Sequence, residues 1–403
     1  MPLFIFWFML NLFFFGTIMK KTLLALLIFS SYSQASGLLL QEAVTANAGT
    51  AGAGDGVYTE TASANWTNPA TMSYMGEQKT TVNIMLLDLT MDYNDNINND
   101  NGEAHTVMPS AGIFYVRQLS DTLHLGMNFG VVGGSSIEYG DDWAGAAYLD
   151  KAFMSGMQIN PSLSYKINDN LSVGVGAQFS YGLLEVSTSS LQTNLDTDWA
   201  YGFNAGTMYQ AEKWALGLSY RSKVTHEFDV EASTANRAIP LGTELLIPTI
   251  IDLSGNYNLT PQITLLGSVQ YHGWSDFTDT PIYTDSLSPQ SIDRNWEDVW
   301  KFAIGADYQL NAKWALKAGF SYETSPQDDP SMQWVDLPVG EQYRYSMGAS
   351  TYWNTNRIDF FYEYADFGTM PIDREIGPTN RVLPNLDGEF EGHIHFIGMN
   401  ITF

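Results

Sequence analysis

The chain has 403 residues, of which 15% are charged and 14% are aromatic, with 35 glycines. These proportions are typical of a membrane β-barrel, whose apolar and polar positions alternate, and they argue against soluble domains with about 25% charged residues. The net charge of −26 at pH 7 argues against nucleic acid as a partner, and the absence of cysteine excludes disulfides and cysteine-based metal sites.

Residues 1–35 are predicted to contain an export signal preceded by an upstream extension. Met19 begins a segment with two lysines, which is followed by an apolar run over 23–29 and by small residues that end at Ala35. These are the parts of a secretory signal peptide, so we expect cleavage after Ala35. We expect Met19 to be the true start, with 1–18 as extra upstream sequence; a membrane anchor in that stretch is the alternative.

Residues 36–78 are rich in glycine, alanine and threonine and do not alternate in polarity. A barrel of fourteen strands, which the rest of the chain predicts, has a lumen too wide for its own side chains to fill. The segment is therefore expected to fold inside the lumen as a plug. A flexible periplasmic tail is the alternative.

Residues 79–403 repeat segments in which apolar and polar residues alternate, as in a strand with one face to lipid and one to a polar lumen. The predicted strands are 79–93, 103–118, 121–133, 153–168, 170–184, 197–211, 213–228, 245–258, 260–272, 297–310, 312–324, 341–354, 356–366 and 389–403. Their even number fits a bacterial outer-membrane barrel. The predicted fold class is thus all-β, a fourteen-stranded antiparallel transmembrane barrel with an N-terminal plug.

The predicted facing of one strand is explicit. Trp300, Phe302 and Ile304 should face lipid, whereas Lys301 and Ala303 should face the lumen, because successive side chains leave opposite faces of a sheet. Short and long connections alternate strictly along the chain. In outer-membrane barrels the short turns are periplasmic and the long loops extracellular, so both termini should lie in the periplasm.

Several short motifs occur in a fixed order along the chain. They are Ser36-Gly37-Leu38-Leu39-Leu40-Gln41-Glu42 at the mature start, Asn68-Pro69-Ala70, Asp142-Trp143-Ala144-Gly145, Asn160-Pro161-Ser162, Tyr220-Arg221-Ser222, Trp274-Ser275, Asn295-Trp296, Ser325-Pro326 and Leu337-Pro338. In this order the chain resembles the FadL family of outer-membrane channels for long-chain fatty acids and hydrocarbons. The C-terminal Phe403 resembles the signal by which such barrels are recognised by the barrel-assembly machinery.

The resemblance implies a route for the ligand. Apolar molecules would settle in an extracellular groove, pass to a pocket near the mature N-terminus at Leu38, and leave sideways through a gap at a kink in the third strand. Gly130, Gly133 and Gly134 mark that gap here, since interior glycines often mark bends; packing against the plug is the alternative. The candidate groove residues are Ile239, Leu241 and Leu245, which could equally close their own loop.

The deep pocket departs from the family pattern. Where the best-known members place basic side chains, the aligned positions here carry Leu183 and Ile292. The remaining candidate ligand-binding residues are Arg221, Arg294, Lys301 and the neighbouring Trp296; Arg221 and Lys301 could instead pair with Asp307, Glu323, Asp359 or Glu363. Fatty acid anions and neutral aromatic hydrocarbons both stay open as ligands.

No catalytic residue, metal site or cofactor is predicted, because neither H-E-x-x-H nor G-x-S-x-G occurs. His393 and His395 share one strand face and are expected to be a solvated pair. An outer-membrane hydrolase and a general hydrophilic porin are the rival functions. The expected location is the bacterial outer membrane, with surrounding lipid and lipopolysaccharide as partners and a monomer as the assembly.

Overall fold

The structure is a computed structural model that describes residues 41–234, 237–283, 290–375 and 385–403. The expected signal peptide, its cleavage site and Leu38 lie outside these residues. Within the described ranges, no helix is both long enough and apolar enough to cross a membrane.

Nineteen β-strands form one antiparallel sheet. They are β1 (Gln78–Asp95), β2 (Gly102–Gln118), β3 (Leu123–Glu138), β4 (Lys151–Lys166), β5 (Leu171–Thr188), β6 (Leu191–Thr193), β7 (Asp196–Gln210), β8 (Trp214–Arg221), β9 (Val224–Thr234), β10 (Arg237–Ile247), β11 (Ile250–Asn258), β12 (Ile263–His272), β13 (Asp279–Tyr283), β14 (Gln290–Asp293), β15 (Val299–Gln309), β16 (Ala315–Glu323), β17 (Gln342–Trp353), β18 (Asn356–Arg374) and β19 (Leu386–Thr402). Short helical turns are Gln41–Val44, Asp55–Val57, Ala64–Thr67, Pro69–Tyr74 and Trp274–Asp276.

The nineteen strands amount to fourteen strands of a closed barrel. β8 and β9, β10 and β11, β12 and β13, and β14 and β15 are consecutive pieces of single long strands, and β6 is a short addition that pairs with β5 and β9. The first and last strands close the ring, because β1 pairs with β19 from Thr81 opposite Thr402 to Asp95 opposite Gly388. The predicted fourteen-stranded antiparallel barrel is confirmed.

The strands reach further than the alternation predicted. β18 continues to Arg374, beyond the predicted end at 366, and the predicted loop over 229–244 is largely strand, with Leu241 of β10 opposite Val230 of β9. The newly found strand residues include Pro240 and Gly242 of β10 and Pro371 of β18, residue types that are uncommon inside strands. Main-chain pairing nevertheless continues past them, because backbone groups still need partners.

The predicted facing of the strands is confirmed at β15. Trp300, Phe302 and Ile304 are 45%, 45% and 66% exposed on the outside, whereas Lys301 and Ala303 are buried at 5% and 3% on the inside. The outward face is therefore apolar and aromatic, as contact with lipid requires.

The segment 41–77 contacts the inward faces of strands on all sides of the ring. Asn65 bonds Asn128 of β3 and Ser162 of β4, Asn68 bonds the carbonyl of Thr207 on β7, Gly54 bonds Ser268 of β12, Asn47 bonds Asp307 of β15, and Glu42 pairs with Arg344 of β17. The segment is consequently bonded to six strands of the barrel.

One buried carboxylate organises the start of this segment. Asp55 accepts hydrogen bonds from the backbone N–H groups of Ala46 and Asn47, both at 2.9 Å, and from the Thr45 hydroxyl at 3.0 Å. Burial raises the pKa of Asp55, and these bonds together with the nearby Lys301 ammonium limit the rise. The bonds tie residues 45–47 back onto the turn at 55 and fold the segment on itself.

Glycines let the segment touch the wall main chain to main chain. A Cβ on Gly319 of β16 would lie 2.1 Å from the carbonyl oxygen of Thr50, and one on Gly49 would lie 2.7 Å from the Cα of Gly348 on β17. Gly49 also has φ of 99°, a conformation that favours glycine. Any side chain at these positions would push the segment away from the wall.

Candidate ligand-binding site

A cavity of about 180 Å³ lies near the end of the barrel that carries the long connections. Its lining residues come from β4, β5, β6, β9, β10, β13, β14 and the connections that follow β14 and β16; they are Ala152, Met154, Leu184, Val186, Leu191, Thr193, Val230, Leu241, Gly242, Thr243, Glu244, Leu245, Thr280, Ile282, Ile292, Arg294, Asp336 and Leu337. Most of these side chains are apolar, so the cavity suits an apolar ligand.

The structure brings several predicted groove and pocket residues together here. Leu241, Leu245 and Ile292 all line the cavity, and the first two lie on β10 rather than in a loop. The side chain of Ile239 lies outside the described part of the molecule. Leu183 is placed differently from the prediction: it lies on the outward-facing side of β5, and its neighbour Leu184 lines the cavity. A shift of one residue along a strand moves a side chain to the other face.

Arg294 supplies the polar end of the cavity. Its guanidinium donates to both carboxylate oxygens of Asp336, at 2.9 Å and 2.6 Å, and its Nε donates to the Thr280 hydroxyl at 3.0 Å. The Arg294 side chain is 2% exposed and that of Asp336 is 26% exposed. A buried two-point ion pair of this kind fixes both side chains.

The other two basic candidates do not line this cavity. Arg221 is buried against the segment 41–77, where it lies over the ring of Trp66 at 3.9 Å and donates to the Trp66 carbonyl oxygen. It also donates to Gln158, Asn160 and Gln178 on the inner wall. Its charge is thus satisfied by neutral oxygens and an aromatic face, which hold the segment in place.

Lys301 is also buried away from the cavity. It faces inward on β15, opposite Glu323 of β16, and lies close enough to lower the pKa of Asp55 against the effect of burial. Two of the alternative acidic partners bond other side chains: Asp359 pairs with Lys317 at 2.9 Å, and Asp307 accepts a hydrogen bond from Asn47. The basic side chains predicted as one pocket are therefore distributed over two levels of the barrel.

Trp296 supports the site without lining the cavity. It is buried between Trp274 and Phe277, with ring centroids 5.0 Å and 4.9 Å away. The Phe277 ring lies 5.7 Å from the guanidinium carbon of Arg294. This aromatic cluster packs behind Arg294.

The wall is interrupted at the predicted lateral opening. Pairing between β2 and β3 ends where Gly112 faces Gly130, although β2 begins at Gly102 and β3 continues to Glu138. The upper part of β3 keeps its bonds to β4 instead.

The glycines of this region adapt β3 to that arrangement. A bulge lies between Val131 and Gly133 in the ladder to β4. At Gly134, φ is 148°, and a Cβ there would lie 2.7 Å from the Met154 carbonyl oxygen. β3 therefore bends with β4 and leaves β2, as a bulged strand does.

Two smaller voids lie between the cavity and this interruption. One of about 30 Å³ shares Asp336 and Leu337 with the cavity and is also lined by Gly134, while one of about 20 Å³ shares Met154 and Leu245 with it and is lined by Gly133 and Gly134. Each void thus shares two lining residues with the cavity and is lined by Gly134 at the kink.

The motif Asn68-Pro69-Ala70 caps the helical turn Pro69–Tyr74. Asn68 accepts a hydrogen bond from the N–H of Ala70 at 3.0 Å and donates to the Gly56 carbonyl oxygen at 2.9 Å, while Pro69 begins the turn Pro69–Tyr74. Asn68 is therefore the side chain that joins two turns of the segment.

The chain matches the family model described as "Outer membrane protein transport protein (OMPP1/FadL/TodX)" over residues 26–403. It belongs to this family. A relative in Escherichia coli O6:H1 named "Long-chain fatty acid transport protein" is 23% identical over 77% of this chain and 82% of its own. The fold matches a FadL homologue of Pseudomonas aeruginosa with a TM-score of 0.83 at 19% identity, over 91% of this chain and 99% of that one.

The fold is shared with a second branch of the FadL family. The toluene transporter TodX of Pseudomonas putida matches with a TM-score of 0.64 at 14% identity, over 84% of this chain and 93% of that one. The predicted location is confirmed: the protein is an outer-membrane protein of a family that transports fatty acids and aromatic hydrocarbons. Among its described residues, no group of three or more acidic or histidine side chains could hold a metal ion.

Sequence reasoning missed one residue of this FadL-family site, Asp336. It stands directly before the motif Leu337-Pro338, far from Arg294 in sequence. An aspartate in an acidic loop carries no signal that distinguishes a solvated charge from a buried ion pair. Only the fold places it on Arg294.

Proposed function

We propose that the protein is a passive channel that takes up hydrophobic molecules, long-chain fatty acids or related hydrocarbons, and releases them sideways into the outer membrane. The cavity lined by Leu241, Leu245 and Ile292 would hold the molecule after capture. The ligand would then pass the kink at Gly133 and Gly134 and leave between β2 and β3. The observation that carries the proposal is the interrupted β2–β3 wall beside the two smaller voids.

Physical chemistry favours a sideways exit over an aqueous one. Each CH₂ group moved into water costs about 0.8 kcal/mol, so an alkyl chain of ten carbons would meet a cost of about 8 kcal/mol in a water-filled pore. A route that stays between apolar side chains and ends in lipid avoids this cost. The names of relatives for fatty acids and for toluene supply two ligand classes.

The segment 36–78 is proposed to act as the plug that keeps ions out. Its contacts on many strands and its main-chain contacts at Gly319 and Gly348 support this role. A general hydrophilic porin would need an open lumen, which such packing opposes. We further propose that the protein is not an enzyme, acts as a monomer in contact with lipopolysaccharide, and is assembled through Phe403, whose N–H bonds Thr80 at the closure of the barrel.

A cross-linking experiment tests the lateral exit between β2 and β3. Because the chain has no cysteine, only the introduced cysteines can be cross-linked. Met108 of β2 and Ile137 of β3 line the same small void on either side of the interruption. In a variant with both residues changed to cysteine, a short bismaleimide should lower uptake of radiolabelled toluene into whole cells several-fold. Single-cysteine variants treated alike are the controls. Full uptake by verified cross-linked protein would refute lateral exit.

A further inference from the structure

We propose that Asp336 sets the ligand class of the cavity: it occupies the guanidinium of Arg294 and so excludes carboxylate ligands in favour of compact, uncharged apolar molecules. The inference rests on the proposed function, because it takes the cavity to be the place where the transported molecule binds. It assigns to one side chain the choice between the two ligand classes of the family.

The geometry leaves Arg294 little to offer an incoming anion. Both Nη atoms donate to the Asp336 carboxylate and Nε donates to Thr280, while Gln327 donates to the Arg294 carbonyl oxygen at 2.8 Å and holds its backbone. The planar fork of an arginine matches one carboxylate at a time in this two-point mode. Asp336 therefore stands in the place that a ligand carboxylate would take.

The charge of the lining points the same way. Among the described residues that line the cavity, Arg294 is basic, whereas Asp336 and Glu244 are acidic. One positive and two negative charges give a lining of −1. Glu244 accepts a hydrogen bond from the Tyr283 hydroxyl at 3.1 Å, so its carboxylate is held beside the cavity.

A free carboxylate would have to compete with a tethered one. A group attached to the same molecule acts at an effective concentration in the millimolar range or above. Displacing Asp336 would also leave its carboxylate partly buried beside the new anion, where like charges repel strongly. An uncharged molecule needs none of these changes, because it fills the apolar part of the cavity while the ion pair stays intact.

The size of the cavity determines which uncharged apolar molecules can bind in it. At about 180 Å³ it is slightly larger than the apolar cavity of about 150 Å³ that is known to hold benzene. A single aromatic ring with a small substituent therefore fits between Leu241, Leu245 and Ile292. A long alkyl chain would extend out of it.

The test compares probes of nearly equal shape that differ in charge: toluene, benzoate and benzamide. Their binding to the purified full-length protein in detergent micelles is measured by equilibrium dialysis with radiolabelled probes, with protein-free micelles subtracted. The wild-type protein should bind benzamide and toluene at least tenfold more tightly than benzoate. This comparison needs no variant, so it does not depend on the folding of one.

Asp336→Asn then frees the guanidinium. It should raise the ratio of benzoate affinity to toluene affinity by roughly tenfold or more, because a two-point charge-assisted contact becomes available. The double variant Asp336→Asn/Arg294→Gln should lose that gain. Asp328→Asn, an exposed aspartate in the same loop, is the matched control and should leave the ratio as in the wild type.

The outcomes separate the inference from the proposed function. Wild-type protein that binds none of the probes would refute the cavity as the ligand site, and the inference with it. If toluene binds but benzoate binds equally well, or if Asp336→Asn leaves the ratio unchanged, the inference alone is wrong. A raised ratio that persists without Arg294 would likewise overturn the role given to the ion pair.

Discussion

Arg221→Met should loosen the segment 41–77 from the wall while the barrel stays intact. The guanidinium makes one hydrogen bond to the segment, to the Trp66 carbonyl oxygen, and lies over the Trp66 ring. A hydrogen bond from a charged group contributes about 1.5–3 kcal/mol, and a desolvated cation–π contact about 2 kcal/mol. Their sum of about 3.5–5 kcal/mol corresponds to about 2.5 to 3.6 powers of ten in the local opening equilibrium, at about 1.4 kcal/mol for each tenfold change.

Chemical labelling of a buried cysteine measures that opening. Ser63 is fully buried and its carbonyl oxygen accepts from the Trp66 N–H at 2.9 Å, so Ser63→Cys reports on the same turn. Because the chain has no other cysteine, the maleimide labelling rate follows the open fraction when opening is fast. Arg221→Met should raise this rate about a hundredfold or more.

The matched control is Arg117→Met, which removes an exposed arginine of β2. It should change the labelling rate less than twofold. In both variants, a difference in gel mobility between unheated and heated samples should show that the barrel is intact. An unchanged labelling rate in folded Arg221→Met would refute the view that Arg221 anchors the segment. It would mean that the other contacts suffice.

Three further predictions concern the same segment. Deleting 41–77 should raise ion conductance in planar bilayers markedly, and conductance equal to that of the full chain would count against a plug. Gly319→Ala should prevent correct assembly, because its Cβ would overlap the Thr50 backbone. Gly267→Ala should assemble normally, because its Cβ would lie 3.8 Å from the Ala303 carbonyl oxygen. Gel migration of the unheated proteins compares the two variants. Because burial raises the pKa of Asp55, the folded segment binds a proton more tightly than the unfolded one, so its stability is greatest below about pH 3.8 and falls as pH rises through the raised pKa. Open-channel events should therefore become rarer from pH 8 to pH 4 by a larger factor in the wild type than in Asp55→Asn; equal pH dependence would contradict this account.

The barrel could be predicted from the sequence because its physics is periodic. Lipid on one side and a polar lumen on the other impose alternation on every strand, as Trp300 and Lys301 illustrate. The prediction was wrong over 229–244, which was expected to be a loop and is largely strand. Pro240 and Gly242 are typical of turns, and only the pairing of β10 with β9 places them in a strand.

The site was predictable only in part, for a different reason. Leu241, Leu245 and Arg294 were identified by resemblance and composition, and the fold brings them to one cavity. Leu183 was off by one residue, which in a strand means the opposite face. Asp336 and the separation of Arg221 from Arg294 depend on tertiary contacts between distant strands and loops, which no local pattern encodes.

The segment 41–77 contacts the barrel strands main chain to main chain, so it has no room to enter the barrel after the barrel has closed. Gly49 and Thr50 meet Gly348 and Gly319 with no space for even a methyl group, and the ring is completed by β19, the last strand to be synthesised. The segment 41–77 must therefore already be in position when β19 pairs with β1. During assembly of this protein, the barrel strands are therefore expected to close around the segment 41–77, which shapes the inner wall.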